Sequence, residues 1–351
     1  MNPTDKAAVG RTNLKVTRLG MGGAALGGLY REVADEAAAE AVWAGLAMGV
    51  NHFDTAPLYG HGLSERRMGQ VLAARPRSSF VLSTKVGRVL NPVGSGKVES
   101  VWFDRPAPFE PVFDFSYDGV MRSFEESLKR LGLERVDILY IHDPDDHFAE
   151  AMSGAYPALH KLRAEGVVSA IGAGMNQAGM EARFAREGDF DCFLLAGRYT
   201  LIDHSGLAEL LPLAVEKHIS IVIGGPYNSG ILAGGALSGS KFNYQSAPPE
   251  VVERVRQVEA VAARHEVPLK AAALQFPLAH PAVASVIPGA RSAAEAKENF
   301  GLMLAPIAPD FWAELKALGL LPAEAPTPAD EVAPQAAPPA GTAPTPPVNT
   351  P

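Results

Sequence analysis

Two titratable side chains sit close together in the stretch Asn51-His52-Phe53-Asp54-Thr55-Ala56-Pro57-Leu58-Tyr59-Gly60. Asp54 closes a very short strand, Asn51 to Phe53, and Tyr59 lies in the turn that follows. A carboxylate at a strand's end with a phenol in the next loop is a common place for chemistry in α/β proteins, because the strand is rigid and the loop is open to a substrate. A helical pattern from Asp35 to Met48 precedes the stretch, with apolar Ala41, Val42, Ala44, Gly45 and Leu46. A second amphipathic run, Leu63 to Leu72, follows it.

The elements that must position this pair alternate regularly. Helices are expected at Asp35–Met48, Leu63–Arg75, Tyr117–Leu131, Tyr156–Glu165, Asn176–Arg186, Gly206–His218, Glu250–His265 and Ala293–Phe300. Pro268 to Leu278 adds another helical piece. Strands are expected at Asn51–Phe53, Phe80–Lys85, Asp137–His142, Ser169–Gly172, Cys192–Leu195, Ser220–Ile223 and Ser285–Ile287, with a first one near Val16 to Leu19. Such alternation without a domain break fits α/β architecture closed as a (β/α)8 TIM barrel. The expected organisation is an N-terminal extension over 1–11, the barrel over 12–320 and a tail over 321–351. The tail is rich in Pro and Ala, cannot bury enough apolar surface to fold, and is expected to be disordered. The segment Val86 to Ser116, after the third strand, holds Gly, Pro, Trp102 and several Phe. A loop this long is usually functional, and it would lie on the face that carries Asp54.

Composition narrows the partners. The net charge is 31 − 39 = −8 over 351 residues, with no basic block. That argues against nucleic acid or an anionic membrane surface. A single cysteine, Cys192, excludes an intrachain disulfide, and its apolar neighbours Phe193 and Leu194 suggest a buried, inert thiol. No signal-like core is read in Met1 to Val9 and no apolar run is long enough to span a membrane, so a soluble cytoplasmic protein is expected. The glycines of Gly20-Met21-Gly22-Gly23-Ala24-Ala25 loosely satisfy a dinucleotide fingerprint. That reading fails, because Gly27-Gly28 breaks the required helix and Ala39 to Trp43 offers no strand-ending acid.

The order Asp54-Thr55-Ala56, Tyr59-Gly60, Ser64-Glu65 and Gly69 resembles the aldo-keto reductases over roughly residues 12–320, close to the usual barrel of about 250 residues with insertions. The family is a (β/α)8 barrel that uses a nicotinamide cofactor and a tetrad of Asp, Tyr, Lys and His. Ser79 to Lys85 is a strand ending in the matching Lys, and Val136 to His142 a strand ending in the matching His. The resemblance therefore implies Asp54, Tyr59, Lys85 and His142 as the catalytic set. A free phenol has a pKa of about 10, high for a base near neutral pH. Lys85 would stabilise the phenolate and lower that value, Asp54 would hold Lys85, and His142 would orient the substrate oxygen. Each residue also has a plainer reading: a turn cap, a rim aromatic, a solvated lysine, a core histidine. Together these are poor explanations, because barrel strands put all four on one C-terminal face. The run His142-Asp143-Pro144-Asp145-Asp146-His147 looks superficially like metal ligands, but Pro144 marks a loop and the resemblance assigns His142 without a metal.

The resemblance also implies a cofactor cradle. Gly22 falls in the loop after the first strand, near the nicotinamide. The family often carries Ser-Asn, a Gln and a stacking ring around the nicotinamide; here those places read Gly174-Met175-Asn176, Ala196 to Tyr199 and Gly224, with Asn176, Arg198 and Tyr227 expected to stand in. Ser229, Gly230 and Leu232 suit a loop that clasps the pyrophosphate through backbone amides. Gly289, Ala290, Arg291, Glu295, Glu298 and Asn299 fall on the adenosine side. Where NADP users carry cations, this sequence has Gly289, Ala290 and Glu295, with Arg291 the one compensating cation. NAD is therefore the expected cofactor, with NADP possible; the plainer reading makes Glu295 an acid favoured at a helix start.

Gly172 to Asn176, Leu194 to Leu201 and Ile223 to Leu232 resemble one branch of the family. It contains aldose 1-dehydrogenases acting on L-fucose, L-galactose or D-threo-aldoses, and a pyridoxal 4-dehydrogenase. The implied reaction oxidises a cyclic hemiacetal to a lactone. Asp143, Arg198, Trp102 or His204 could meet sugar hydroxyls, and Trp102 with Phe103 could form an aromatic slot. The sugar reading is favoured. Pyridoxal oxidation, general carbonyl reduction and a cofactor-sensing regulatory subunit stay open. The partner is expected to be a small molecule and the chain a monomer or small homo-oligomer.

Overall fold

The computed structural model describes residues 1–94, 98–237 and 239–330. The chain opens with an antiparallel hairpin of β1 (Lys6–Ala8) and β2 (Lys15–Thr17). The barrel strands then follow as β3 (Met21–Gly22), β4 (His52–Asp54) and β5 (Val81–Val86). A second hairpin, β6 (Arg88–Pro92) with β7 (Phe109–Phe113), interrupts the series. The barrel resumes with β8 (Ile138–His142), β9 (Ala170–Met175), β10 (Cys192–Ala196) and β11 (Ser220–Gly224). A small hairpin, β12 (Lys241–Phe242) with β13 (Gln245–Ser246), precedes the last barrel strand, β14 (Val283–Ile287).

The parallel sheet runs β14-β11-β10-β9-β8-β5-β4-β3. Parallel bridges Leu19↔Val286 and Gly22↔Gly289 join its two edges, with Gly20 N donating to Val286 O at 2.8 Å. The sheet is thus a closed (β/α)8 barrel, and closure removes the exposed edges of an open sheet. Helices α1 (Asp35–Ala47), α2 (Leu63–Leu72) and α3 (Tyr117–Leu131) begin the outer ring. It continues with helices Tyr156–Ala164, Ala178–Glu187, Leu210–Glu216, Pro249–Arg264, Leu269–Gln275 and Ala293–Leu304.

Strand parity decides what faces the lumen. On β8, Leu139 and Ile141 join the large core against the helices, while Ile138 and Tyr140 belong to a separate inner cluster. His142 follows the same alternation and faces inward at the C-terminal end. On β5, Val81 lies in the inner cluster and Leu82 and Val86 in the outer one, so Ser83 and Lys85 face the lumen. Phe53 packs outward, which turns His52 and Asp54 inward. Gly174, across from His142, leaves the lumen open beside Lys85: a Cβ there would stand 3.7 Å from Lys85 Cε.

Two expectations are corrected. Residues near Val16 do not form the first barrel strand. They form β2, and buried Val9 and Val16 plug the inner cluster from the N-terminal end. The N-terminal segment is thus packed structure, and the first barrel strand is the two-residue β3. The long connection expected over 86–116 is present and carries the β6–β7 hairpin. Packing also passes residue 320: Leu321, Ala325 and Thr327 are buried, and the described chain ends at Asp330. The rest of the expected tail, 331–351, lies outside the described residues. Helix Pro309–Ala317 was not expected from the sequence; its Phe311 and Trp312 are buried.

Helix α2 is tied to the barrel by a buried charge. Glu65 accepts from Thr84 Oγ1 on β5 at 2.8 Å and from Arg130 Nε on α3 at 2.5 Å, and its side chain is fully buried. Replacing Arg130 with Met leaves that carboxylate without its cation. The expected cost is about 3–5 kcal/mol in urea denaturation, partly recovered by adding Glu65→Gln. No loss in the single variant contradicts this assignment.

Candidate active site

The C-terminal ends of the strands open into a cavity of about 760 Å³. At its floor Lys85 Nζ donates to Asp54 Oδ2 at 2.7 Å and to the Thr55 carbonyl at 2.9 Å. Ser83 Oγ donates to Asp54 Oδ1 at 2.7 Å. Both charged side chains are almost wholly buried, at 1% and 2% exposure. Such a pair persists only when each partner's remaining hydrogen bonds are satisfied, which Thr55 and Ser83 provide.

Tyr59 is set against this pair by the turn after β4. Its N–H donates to Ala56 O and its carbonyl accepts from Ser64 N, the latter at the start of α2. Gly27 and Gly60 let two loops touch backbone to backbone here, and Gly60 takes φ 61°, which favours glycine. The Lys85 ammonium lies 4.7 Å from the Tyr59 ring centroid, and His142 meets the ring edge-on at 5.8 Å. The four expected catalytic residues are therefore gathered on one face of the cavity.

Electrostatics correct one expectation. The Tyr59 phenol is not lowered but held well above its ordinary value, first by burial and then by the Asp54 and Asp143 carboxylates, with Arg88 opposing. Lys85 is committed to Asp54 and faces the ring. The resting site thus holds a protonated phenol. Burial, with Lys85 and Arg88, pushes His142 well below the usual imidazole range, so it is neutral. Among the described residues its Nδ1 has no hydrogen-bond partner, and Nε2 lies 3.7 Å from Asp143 Oδ2. A neutral imidazole and a protonated phenol over a buried ammonium can donate to, and exchange a proton with, an oxygen placed between them.

The metal-like run after β8 comes apart in space. His147 pairs with Glu150 and packs on Phe113 and Phe115, while Asp145 accepts from Gln177. Among the described residues no group of three or more His, Cys, Asp or Glu could hold a metal. Cys192 is buried and its thiol pushed up by burial. No helix among the described residues is long and apolar enough to cross a membrane.

The expected cofactor residues divide. Gly22, Met175, Asn176, Tyr227, Ser229, Gly230, Gly289, Arg291, Glu295, Glu298 and Asn299 line the cavity. Leu232 and Ala290 are buried in the core and do not. Arg198 stands behind the wall, donating to Asn176 O at 2.8 Å and to Asn243 Oδ1 at 2.7 Å. Tyr227 donates to Asn299 Oδ1 at 2.7 Å, on the far side from Tyr59. Asn228, Ser229 and Gly230 all take positive φ, 46°, 59° and 102°, and open space lies where a Cβ on Gly230 would go. With Gly224-Gly225 at the end of β11, these positions line a trough in which glycine stands at three of the five, which fits an extended dinucleotide. Glu295 is not a free acid: it accepts from Arg291 N at 2.8 Å and from Arg31 Nη2 at 3.2 Å.

Of the expected substrate residues, Trp102, Phe103 and Asp143 line the cavity and His204 does not; it packs on Phe276. Trp102 and Phe103 are held over the cavity by the segment after the first barrel strand, with Tyr30 N donating to Trp102 O at 2.9 Å. Arg88, Phe113 and Tyr244 also line it and were not singled out from the sequence. Arg88 pairs with Asp143 at 2.8 Å and stacks 4.0 Å over Phe113.

With this geometry in place, the comparisons with known proteins are decisive. The sequence model of the aldo/keto reductase family matches residues 18–319. The chain belongs to the aldo/keto reductase family. This aldo/keto reductase is 40% identical over 341 residues to a pyridoxal 4-dehydrogenase of Microbacterium luteolum, covering 92% of this chain and 99% of that protein. It is 39% identical over 328 residues to a D-threo-aldose 1-dehydrogenase of a Pseudomonas species, with the same coverage. An L-galactose dehydrogenase of Arabidopsis thaliana is 31% identical, over 85% of this chain and 88% of that one. Among solved structures, the holo form of an aldo-keto reductase from Bacillus halodurans matches with a TM-score of 0.71 and 25% identity, over 90% of this chain and 96% of that one. The chain is accordingly an NAD(P)-dependent oxidoreductase.

The buried histidines of this aldo/keto reductase give a pH dependence. Burial lowers His52 to about 3 and His204 and His280 to about 4. The unfolded chain binds these protons near pH 6.5, so it holds more protons than the folded chain below about that pH, and stability falls as the solution is acidified. Burial raises the Asp54 and Glu181 carboxyls, which work in the opposite sense. The comparison that isolates a histidine is His280→Asn. Its unfolding free energy is expected to fall less steeply than wild type between about pH 6.5 and 4. Equal slopes contradict the neutral buried imidazole.

Proposed function

We propose that the chain oxidises an aldose at C1, of the L-fucose or D-threo-aldose type, to its lactone by hydride transfer, with NAD preferred over NADP. The observation that carries this is the buried Asp54–Lys85 pair lying under Tyr59 and beside a neutral His142. The aldose 1-dehydrogenase relative supports the substrate class. Gly22, Asn176, Tyr227, Ser229, Gly230, Gly289, Arg291 and Asn299 would hold the nicotinamide cofactor along the trough. When bound, that group supplies the hydride acceptor. His142 donates to the substrate oxygen and fixes its orientation. Tyr59, once it has lost its own proton to solvent, takes the hemiacetal hydroxyl proton as the C1–H electron pair leaves. Lys85, beside the ring, stabilises the phenolate that accepts that proton, and Asp54 holds Lys85 in register. Asp143 and Trp102 meet the sugar hydroxyls, and Phe103 supports the Tyr59 ring at 6.2 Å.

NAD preference rests on Glu295, whose carboxylate stands near the adenosine end where a 2′-phosphate would be repelled. Arg31 and Arg291 offset part of that charge. The enzyme is proposed to work in the cytoplasm on a small molecule, as a monomer or small homo-oligomer. A second reading, oxidation of pyridoxal to its lactone, is favoured by the aromatic lining of Trp102, Phe103 and Tyr244 and by the pyridoxal 4-dehydrogenase relative.

The test is initial-rate NADH or NADPH formation with L-fucose, D-arabinose, L-galactose and pyridoxal. One aldose with NAD is expected to be fastest, and Tyr59→Phe to lose roughly 10²–10⁴-fold in kcat. Turnover of pyridoxal alone moves the substrate, and silence with every pair promotes a cofactor-sensing role. Because the resting phenol is held protonated well above its ordinary range, the oxidative rate is expected to climb with pH without levelling off by about pH 10, and the reductive rate to stay level over the same range. Glu295→Gln is expected to shift the NAD to NADP preference by about tenfold toward NADP, the equivalent of roughly 1.4 kcal/mol. An unchanged ratio, or an NADP preference in wild type, contradicts the Glu295 argument.

A further inference from the structure

The turn joining β12 to β13 breaks a local rule. It is a two-residue connection, Asn243-Tyr244, with φ 50° and 64°. Turns of this kind favour Asn then Gly, because a side chain at the second position crowds the backbone in the left-handed region. Asn243 obeys and Tyr244 does not. A bulky residue held there is a strained position that persists only where its surroundings over-determine it.

The surroundings do so. Arg198 Nη1 donates to Asn243 Oδ1 at 2.7 Å, and Tyr244 N donates to Ser229 Oγ at 3.0 Å. The Lys241 ammonium lies 3.9 Å over the Tyr30 ring. These contacts fix the turn to the loop that bounds the dinucleotide trough. The Tyr244 ring then projects into the cavity, 6.4 Å from the Trp102 ring and tilted 52° to it. Its phenol lies on the side of the cavity lined by Asn176, within the field of the Asp143 carboxylate. Trp102 comes from the 86–116 segment and Tyr244 from the far side, so the two rings meet across the cavity above Tyr59.

We propose that Tyr244 is a substrate-recognition residue: its ring, paired with Trp102, closes the pocket over a ring-shaped substrate, and its phenol hydrogen-bonds a polar group on that ring. The strained backbone is the cost of aiming an aromatic side chain from so short a turn. The proposal rests on the reading of this site as a dehydrogenase pocket for a cyclic hemiacetal. It adds that recognition of the ring comes from the hairpin beside the cofactor trough as well as from the barrel.

The test compares wild type with Tyr244→Gly and Tyr244→Phe. Substrates are whichever of L-fucose, D-arabinose, L-galactose and pyridoxal the wild type turns over best, and methylglyoxal, reduced as a small open-chain aldehyde. Melting temperature and NADH binding are measured alongside. Tyr244→Gly is expected to keep or raise the melting temperature, because glycine suits the turn, and to bind NADH within about twofold of wild type. Its kcat/KM ratio of ring substrate to methylglyoxal is expected to fall at least about tenfold, mostly through KM, with Tyr244→Phe between the two. An unchanged ratio overturns the proposal, as does a loss of NADH binding that accounts for the whole effect. Wild type that oxidises pyridoxal but no sugar sinks the aldose reading and leaves Tyr244 judged on pyridoxal. Wild type that reduces methylglyoxal but accepts no ring sinks both.

Discussion

The buried contact between Lys85 and Asp54 is the constraint on which the site depends. Neither charge can be taken from water without the other, and each needs its remaining hydrogen bonds filled from within the barrel. Thr55 supplies a carbonyl to Lys85 and Ser83 a hydroxyl to Asp54. These partners come from β5 and from the end of β4, so the pair exists only when the two strands are in register. The Asp54↔Ser83 pairing provides that register. The ammonium then lies against the Tyr59 ring, and burial, with the fields of Lys85 and Arg88, keeps His142 neutral.

Much of this was legible in the chain. Asp54 and His142 each end a short strand and Lys85 lies one residue from the end of another, and a period of two turns each of them into the lumen while Phe53, Val86 and Ile141 face the helices. The expected strands at Phe80–Lys85, Asp137–His142 and Cys192–Leu195 and the helix Tyr117–Leu131 lie where the structure has them, because β-branched runs and a Ser cap with a Gly stop mark their ends. The first barrel strand was misplaced for a clear reason. Leu14 to Leu19 carries the apolar pattern, but the hairpin uses it to plug the barrel, while the true strand is a two-residue segment rich in glycine.

What sequence could not supply was contact between distant segments. Arg88 and Asp143 are 55 positions apart, and Arg31 reaches Glu295 across 264. No local pattern links such residues. Leu232 and Ala290 were carried into the cofactor set by position alone, and their apolar side chains pack into the core. The upward shift of the Tyr59 phenol comes from burial and from the Asp54 and Asp143 carboxylates, and a sequence motif gives neither the depth of the ring nor its distance from those charges. Tyr244 carried one readable signal: an Asn followed by an aromatic inside a polar, turn-like run, where glycine would ordinarily follow.

The most direct test of the central account follows the hydrogen itself. L-fucose carrying deuterium at C1 is incubated with the enzyme and NAD, and the products are read by NMR. The account predicts deuterium on C4 of the nicotinamide and the lactone as the sugar product, with neither formed when Lys85 is replaced by Met. Nicotinamide reduced without deuterium, a product other than the lactone, or undiminished transfer in Lys85→Met would contradict it.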